Sequence, residues 1–219
     1  MMAQENTKEV KAIEFLWLGL YGFAGFSLEL ILNVVVNMVG MQPLGKGLNS
    51  FITGILWFGF AILLFQFSKS KFHYDALKKR EGLMTSKLVA GIILIVLSTA
   101  VSAWGFGGFK PYVEFYGGSQ GSIVLYLLQV FYYLGETALI VLTIALGQQF
   151  IERQFGLGEK FPGGGIFLAF TWGSMHILLQ GVSGGIYTMF FSVIAGIIYT
   201  IMGKDFRWSY LFIALAFIL

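Results

Sequence analysis

Residues 132–180 read YYLGETALIVLTIALGQQFIERQFGLGEKFPGGGIFLAFTWGSMHILLQ, and this stretch decides how the chain folds. Two apolar runs are joined by a polar, glycine-rich turn, and each run carries a single ionisable group deep inside: Glu136 in YYLGETALIVL and His176 in FTWGSMHILLQG. Apolar runs of this length read as helices that cross a bilayer, because a helix satisfies its own backbone polar groups where no water can. A carboxylate or imidazole at such depth is costly, so it faces the protein interior and marks a functional site. The turn runs from Glu152 to Lys160; Glu136 lies 16 residues before it and His176 lies 16 residues after it. At ~1.5 Å per helical residue both groups sit ~24 Å from the turn. Equal depth on sequential antiparallel helices predicts that they meet.

Composition agrees with this reading. The 219 residues are 57% hydrophobic and 11% charged, where a soluble domain carries ~25% charge, and the mean hydropathy is +0.80. The expected class is all-α: one polytopic transmembrane helical bundle over residues 1–219, since no polar segment is long enough to form a second domain. Cysteine is absent, which removes disulfides, thiolate metal sites and cysteine nucleophiles together. The formal charge of +3 does not point to nucleic acid, because in such a chain the placement of basic residues reports topology.

Working outward from the hairpin, the spacing predicts six full spans and a short seventh. Span 1 covers Ile13 to Val39 and is too long for a signal-peptide core; Glu29, Asn33 and Asn37 recur every four residues along it and read as one inward polar face. Spans 2 and 3 cover Phe51 to Phe67 and Leu88 to Gly105, separated by the polar segment from Ser68 to Lys87. Span 4 runs from Ile123 to Phe150, with Gln129, Tyr132 and Glu136 as a polar stripe, and Gln148, Gln149, Glu152 and Arg153 expected at the aqueous interface. Span 5, Ile166 to Leu179, carries Trp172, His176 and Gln180 at intervals of four. Span 6 runs from Ile186 to Met202, its glycines allowing close helix approach. Span 7, Trp208 to Leu219, is only 12 residues. At ~18 Å it is too short to cross a bilayer.

Twelve of the fourteen Lys and Arg residues fall on one side if the N-terminus is cytoplasmic, the exceptions being Lys46 and Lys110. The positive-inside rule therefore predicts an N-terminus in the cytoplasm. His73 lies in the polar second loop and reads as an ordinary surface histidine. No phosphate-binding glycine loop, HExxH pair or serine elbow stands in a suitable context. A Glu and a His at one depth can activate a water, the carboxylate taking its proton and the imidazole positioning it or holding a metal.

The portion from Gly135 to the C-terminus resembles the CPBP superfamily, the CAAX prenyl proteases and bacteriocin-processing proteins, which are glutamate-dependent intramembrane proteases described as metalloproteases. The likeness rests on a Glu-bearing helix ending in ERQFG, an aromatic-xxx-His pattern from Trp172 to His176, the Gly-rich SVIAGIIYTIMG and a short terminal helix. It implies a CPBP-like core at about residues 123–219, with N-terminal spans over 13–105 added to it. It implies Glu136 and His176 as the catalytic positions and a divalent metal where the enzyme is active, for which His176 is the one suitable histidine. Three signature positions differ: Gly135 stands where the family has the first Glu, Ile140 where it has Arg, and Phe212 where it has the third-motif His. Glu29, Gln129, Tyr132, Trp172 and Gln180 are the expected binding residues around the pair.

Three functions follow from this pattern. The first is a CPBP-like protein that has lost catalysis and binds a membrane partner, a peptide or a lipidated substrate. The second is an active intramembrane peptidase using Glu136 and His176. The third is a transporter or transport subunit with Glu29, Glu136 and His176 as a proton relay. In each the partner set is the lipid bilayer with a membrane protein or peptide and no nucleic acid, and the resemblance suggests a bacterial plasma membrane.

Overall fold

The computed structural model describes residues 10–40, 44–78 and 84–219, and among these every regular element is helical. Lys8, Lys79 and Arg80, which weigh in the orientation argument, lie outside the described residues. The axis of the bundle is α6 (Ile123–Phe155), a helix of 33 residues and therefore ~50 Å long. Every residue of it from Gly135 to Gln148 is buried, as expected for a helix that is apolar on all sides.

Span 1 is broken in two. Helices α1 (Ala12–Gly25) and α2 (Leu28–Met38) meet at an angle of 45°. At the joint Ser27 Oγ donates to the Ala24 carbonyl at 2.6 Å, one of the side-chain bonds that bend helices by competing with the backbone. The bend redirects the second half, so that Asn33 and Asn37 are exposed and Glu29 alone of the three is partly buried. The expected three-residue inward face is thus corrected to one residue.

Helices α3 (Lys46–Phe72) and α4 (Thr85–Phe106) contain the expected spans 2 and 3 and, like α6, are long and apolar enough to cross a membrane. The bent pair α1 and α2 adds a further candidate, and the apolar segment Gly163–Ile201 is another. That last segment doubles back on itself. It begins as α7 (Gly163–Leu168), passes through a wide π turn (Ala169–Gly173) and continues as α8 (Ser174–Ile201), which is interrupted at Gly181 with φ 79° and ψ 178°. Only glycine adopts that backbone readily. A Cβ on Gly165 would lie 2.7 Å from Gly196 Cα, and one on Gly185 would lie 2.9 Å from Ile177 Cα. A straight helix would hold residues 165 and 196 ~46 Å apart. Residues 163–180 and 182–201 therefore form two antiparallel arms whose backbones touch.

Between α4 and α6 the chain makes α5 (Lys110–Val113) and a π turn (Glu114–Gly118). Sequence patterning gives an interfacial loop here, yet Lys110 is 3% exposed and reaches into the bundle. The terminal helix α9 (Phe206–Ile218), 13 residues, packs Phe212, Ile213, Ala216 and Phe217 into the main apolar cluster with Ile140, Trp172 and Phe191. The Ala216 and Phe217 carbonyls accept hydrogen bonds from Ser98 Oγ at 3.0 Å and Lys110 Nζ at 2.5 Å. The outer surface of the bundle is strongly apolar, with Trp104, Met38, Leu178 and Phe170 among the most exposed side chains. Such a surface suits hydrocarbon better than water.

At the other end of α6 a second expectation is corrected. Gln148 is fully buried rather than at the interface: its Nε2 donates to Glu152 Oε1 at 2.7 Å and to the Phe161 carbonyl at 2.8 Å, and its Oε1 accepts from Gly164 N at 2.7 Å. Glu152 in turn pairs with Lys204 at 2.5 Å. One buried amide thus ties the turn 156–162 to both helices it connects.

Candidate functional site

The N-terminal half of α6, both arms of the hairpin, α9 and the 107–122 connection line a cavity of about 210 Å³. Six of the seven expected site residues line it: Gln129, Tyr132, Glu136, Trp172, His176 and Gln180. They come together because helical spacing stacks Gln129, Tyr132 and Glu136 on one side of α6 and Trp172, His176 and Gln180 on the facing side of the arm. The seventh, Glu29, stands behind the wall, where its Oε2 accepts from the Tyr132 hydroxyl at 3.0 Å.

Glu136 and His176 share the cavity, and Trp172 stands between them. The Trp172 side chain lines the cavity beside Glu136, its ring lies 4.6 Å from the His176 ring, centroid to centroid, and its carbonyl is 2.8 Å from His176 Nδ1. A carbonyl only accepts, so Nδ1 carries a hydrogen, and in the neutral ring Nε2 is the free acceptor. Among the described residues no direct hydrogen bond joins Glu136 to His176. The π turn Ala169–Gly173 places Trp172 in this intermediate position, a widening of the kind that recurs at functional sites.

Sequence reasoning missed Lys110. Its ammonium lies 4.6 Å and 4.4 Å from the centroids of the Tyr133 and Phe217 rings, lines the cavity, and is near enough to Glu136 and Glu114 to feel both charges. Burial pushes it down to about 8, the two carboxylates acting in the opposite direction. The signal that marks it is its position as one of two basic residues on the poorly charged side of the chain. The other, Lys46, donates to the Gly118 carbonyl at 2.8 Å, so both exceptions serve this connection. Tyr133, whose hydroxyl donates to Glu114 Oε1 at 2.9 Å, was likewise not singled out.

The donor set does not fit a metal. Among the described residues no cluster of three or more His, Cys, Asp and Glu side chains converges, and the cavity that holds one imidazole and one carboxylate also holds an ammonium. Gly135, Ile140 and Phe212 are all taken up by packing. A Cβ on Gly135 would lie 2.9 Å from the Gly54 carbonyl oxygen of α3, Ile140 is fully buried, and Phe212 is 5% exposed. Comparison of the chain with protein-family models, with curated proteins and with solved structures finds no match in any of the three.

Proposed function

We propose that this chain is a CPBP-like integral membrane protein that has lost peptidase chemistry and acts by binding a membrane partner, peptide or lipidated substrate through the cavity around Glu136. The observation that carries this reading is what fills the signature positions. Hydrolysis needs a held water, a tuned base and an electrophile or oxyanion donor, and loss of one such group costs ~100-fold or more. Here α3 backbone abuts Gly135, so a glutamate side chain has no room there, and Ile140 and Phe212 belong to the apolar core. What remains is a polar chamber with a carboxylate, an ammonium, an imidazole and two amides. That is equipment for recognition.

The reading includes six crossings, counting the bent α1 and α2 as one and each arm of the hairpin as one, with α9 as a partial seventh. It places the chain in a bacterial plasma membrane with the N-terminus in the cytoplasm. The absence of cysteine makes orientation directly testable: a cysteine at exposed Ser70 is labelled by a membrane-impermeant maleimide only after the cytoplasmic side is opened, and labelling from outside intact cells overturns the topology. For the chemistry, the purified chain is incubated with a prenylated peptide and with a leader peptide. No cleavage above the Glu136→Gln background is expected; cleavage by the wild type that Glu136→Gln abolishes establishes the peptidase instead.

A further inference from the structure

Lys110 and Glu136 are the two charged residues lining the cavity, 3% and 7% exposed, and they are not paired with each other. The ion pairs among the described residues are Lys69–Asp75, Lys204–Glu152 and Arg207–Asp205. An acid and a base removed from water on separate walls of one chamber, with no direct ion pair between them, can each be compensated by a charged guest. A purely anionic guest would satisfy Lys110 and repel Glu136; a purely cationic guest would do the reverse. A guest carrying both signs satisfies both walls.

The chamber also has a continuation. A groove of about 900 Å³ lies beside it, between the end of α4 and the start of the arm 182–201, walled by Val101, Trp104, Ile186 and Phe190. Phe106, Gln180 and Tyr187 line chamber and groove alike. The groove is apolar, with Trp104 on its wall 88% exposed, whereas the chamber is lined by polar side chains. Polar chamber and apolar groove in series match an amphiphile, headgroup inward and chain along the surface.

We infer that the cavity holds the zwitterionic headgroup of a phospholipid of the aminoethyl phosphate class, phosphate toward Lys110 and ammonium toward Glu136, with an acyl chain lying in the groove between α4 and the arm 182–201. Lys110 spends one of its three N–H donors on the Phe217 carbonyl, which leaves two for phosphate oxygens. The Gln129 and Gln180 amides add neutral donors. The ammonium finds a carboxylate flanked by the Trp172 and Tyr132 rings, a favoured setting for an organic cation. This names the ligand of the binding reading and rests on it.

The test uses the delipidated full chain in detergent, titrated with dioctanoyl phosphatidylethanolamine and, in parallel, with dioctanoyl phosphatidylglycerol, dioctanoylglycerol and water-soluble phosphoethanolamine, bound copies being counted by native mass spectrometry. One phosphatidylethanolamine should bind about tenfold tighter than phosphatidylglycerol or diacylglycerol, and Lys110→Met and Glu136→Gln should each weaken it about tenfold, the worth of one charge-assisted hydrogen bond. Free phosphoethanolamine should bind far more weakly than the lipid, and Ile186→Trp, which fills the groove, should reduce lipid binding alone. If Lys110→Met does not fold, Glu136→Gln, which changes almost no volume, decides by itself. Equal binding of the three lipids, or phosphatidylethanolamine binding indifferent to Glu136→Gln, overturns the inference. Phosphatidylglycerol held tightly and lost on cavity substitution would overturn the zwitterion and leave a binding cavity standing. Peptide cleavage by a chain that still selects phosphatidylethanolamine would overturn the non-catalytic reading and leave the ligand.

Discussion

The two ends of α6 bury the same kinds of group in opposite ways. Toward the turn 156–162, Gln148, Glu152 and Lys204 close on one another and on the backbone of Phe161 and Gly164, with each partner within 2.8 Å. Toward the 107–122 connection, Glu136, Lys110, His176 and Gln180 surround about 210 Å³ of space. Burial of polar groups therefore does not by itself separate a site from a structural network. The separating quantity is saturation: groups that have spent their hydrogen bonds on each other hold helices together, and groups arranged around room have capacity for something else.

Substitutions that lean on this difference should rank accordingly in thermal unfolding of the detergent-solubilised protein. The largest effect belongs to the saturated end: a Cβ on Gly164 would lie 2.2 Å from the Ile144 carbonyl oxygen, so Gly164→Val should cost more than ~4 kcal/mol. Survival of a well-folded Gly164→Val protein would mean that this end is looser than described. Next comes Lys204→Met, which strands Glu152 without its cation and should cost about 3–5 kcal/mol.

The hollow end should respond to pH instead. Burial depresses the Lys110 ammonium to about 8 from 10.5. Below pH 8 it is charged in folded and unfolded chains and its burial penalty is in full force; above 10.5 it is neutral in both and the penalty is gone. Stability should therefore rise between pH 8 and 10.5, by up to about 3 kcal/mol, and Lys110→Met should flatten that rise. An unchanged profile in Lys110→Met would assign the rise to other groups. Glu136→Gln should move stability by less than ~1 kcal/mol, because it changes almost no volume, keeps a side-chain acceptor and breaks no direct ion pair. A loss as large as that of Lys204→Met would erase the contrast between the ends. Smallest of all is the exposed pair Lys69–Asp75, at 2.7 Å, where the hydrogen bond from Lys69 holds the Asp75 carboxyl below its usual value. Asp75→Asn should cost less than ~0.5 kcal/mol. That small contribution should be present above the unfolded carboxyl's ~3.9, fade as the solution is acidified through the lower folded value, and shrink with added salt.

Much of the cavity was legible because helical spacing is a geometric statement: residues four apart share a face, so Gln129 to Glu136 and Trp172 to Gln180 were bound to form stripes, and equal distance from one turn brought the stripes level. Glu29, Asn33 and Asn37 still share a face of α2, but the bend before it carries that face away from the bundle past Glu29, which spacing alone does not reveal. Gln148 was misplaced because depth along a helix does not reveal what covers it; Phe161 and Gly164, contributed by the turn itself, shut out water. Lys110 was hidden in a stretch with no periodicity to read, where glycines and aromatics permit many paths. Glu136 and His176 line one cavity, as their equal depth requires, with the Trp172 ring beside His176.

The reversal at Gly181 bears on how this protein enters a membrane. From Phe161 to Gly203 the chain contains no Lys, Arg, Asp or Glu, and the connection between the two arms is a single residue. No formally charged side chain has to be carried through the bilayer for the arms to reach their places, so they can enter as one preformed wedge from the side where Lys160 and Lys204 remain. The tight glycine contacts between Gly165 and Gly196 would then form within the hairpin itself. Biogenesis of this half of the molecule becomes a question of one insertion event, in which the hairpin packs onto α6, already ahead of it in the chain, and α9 follows.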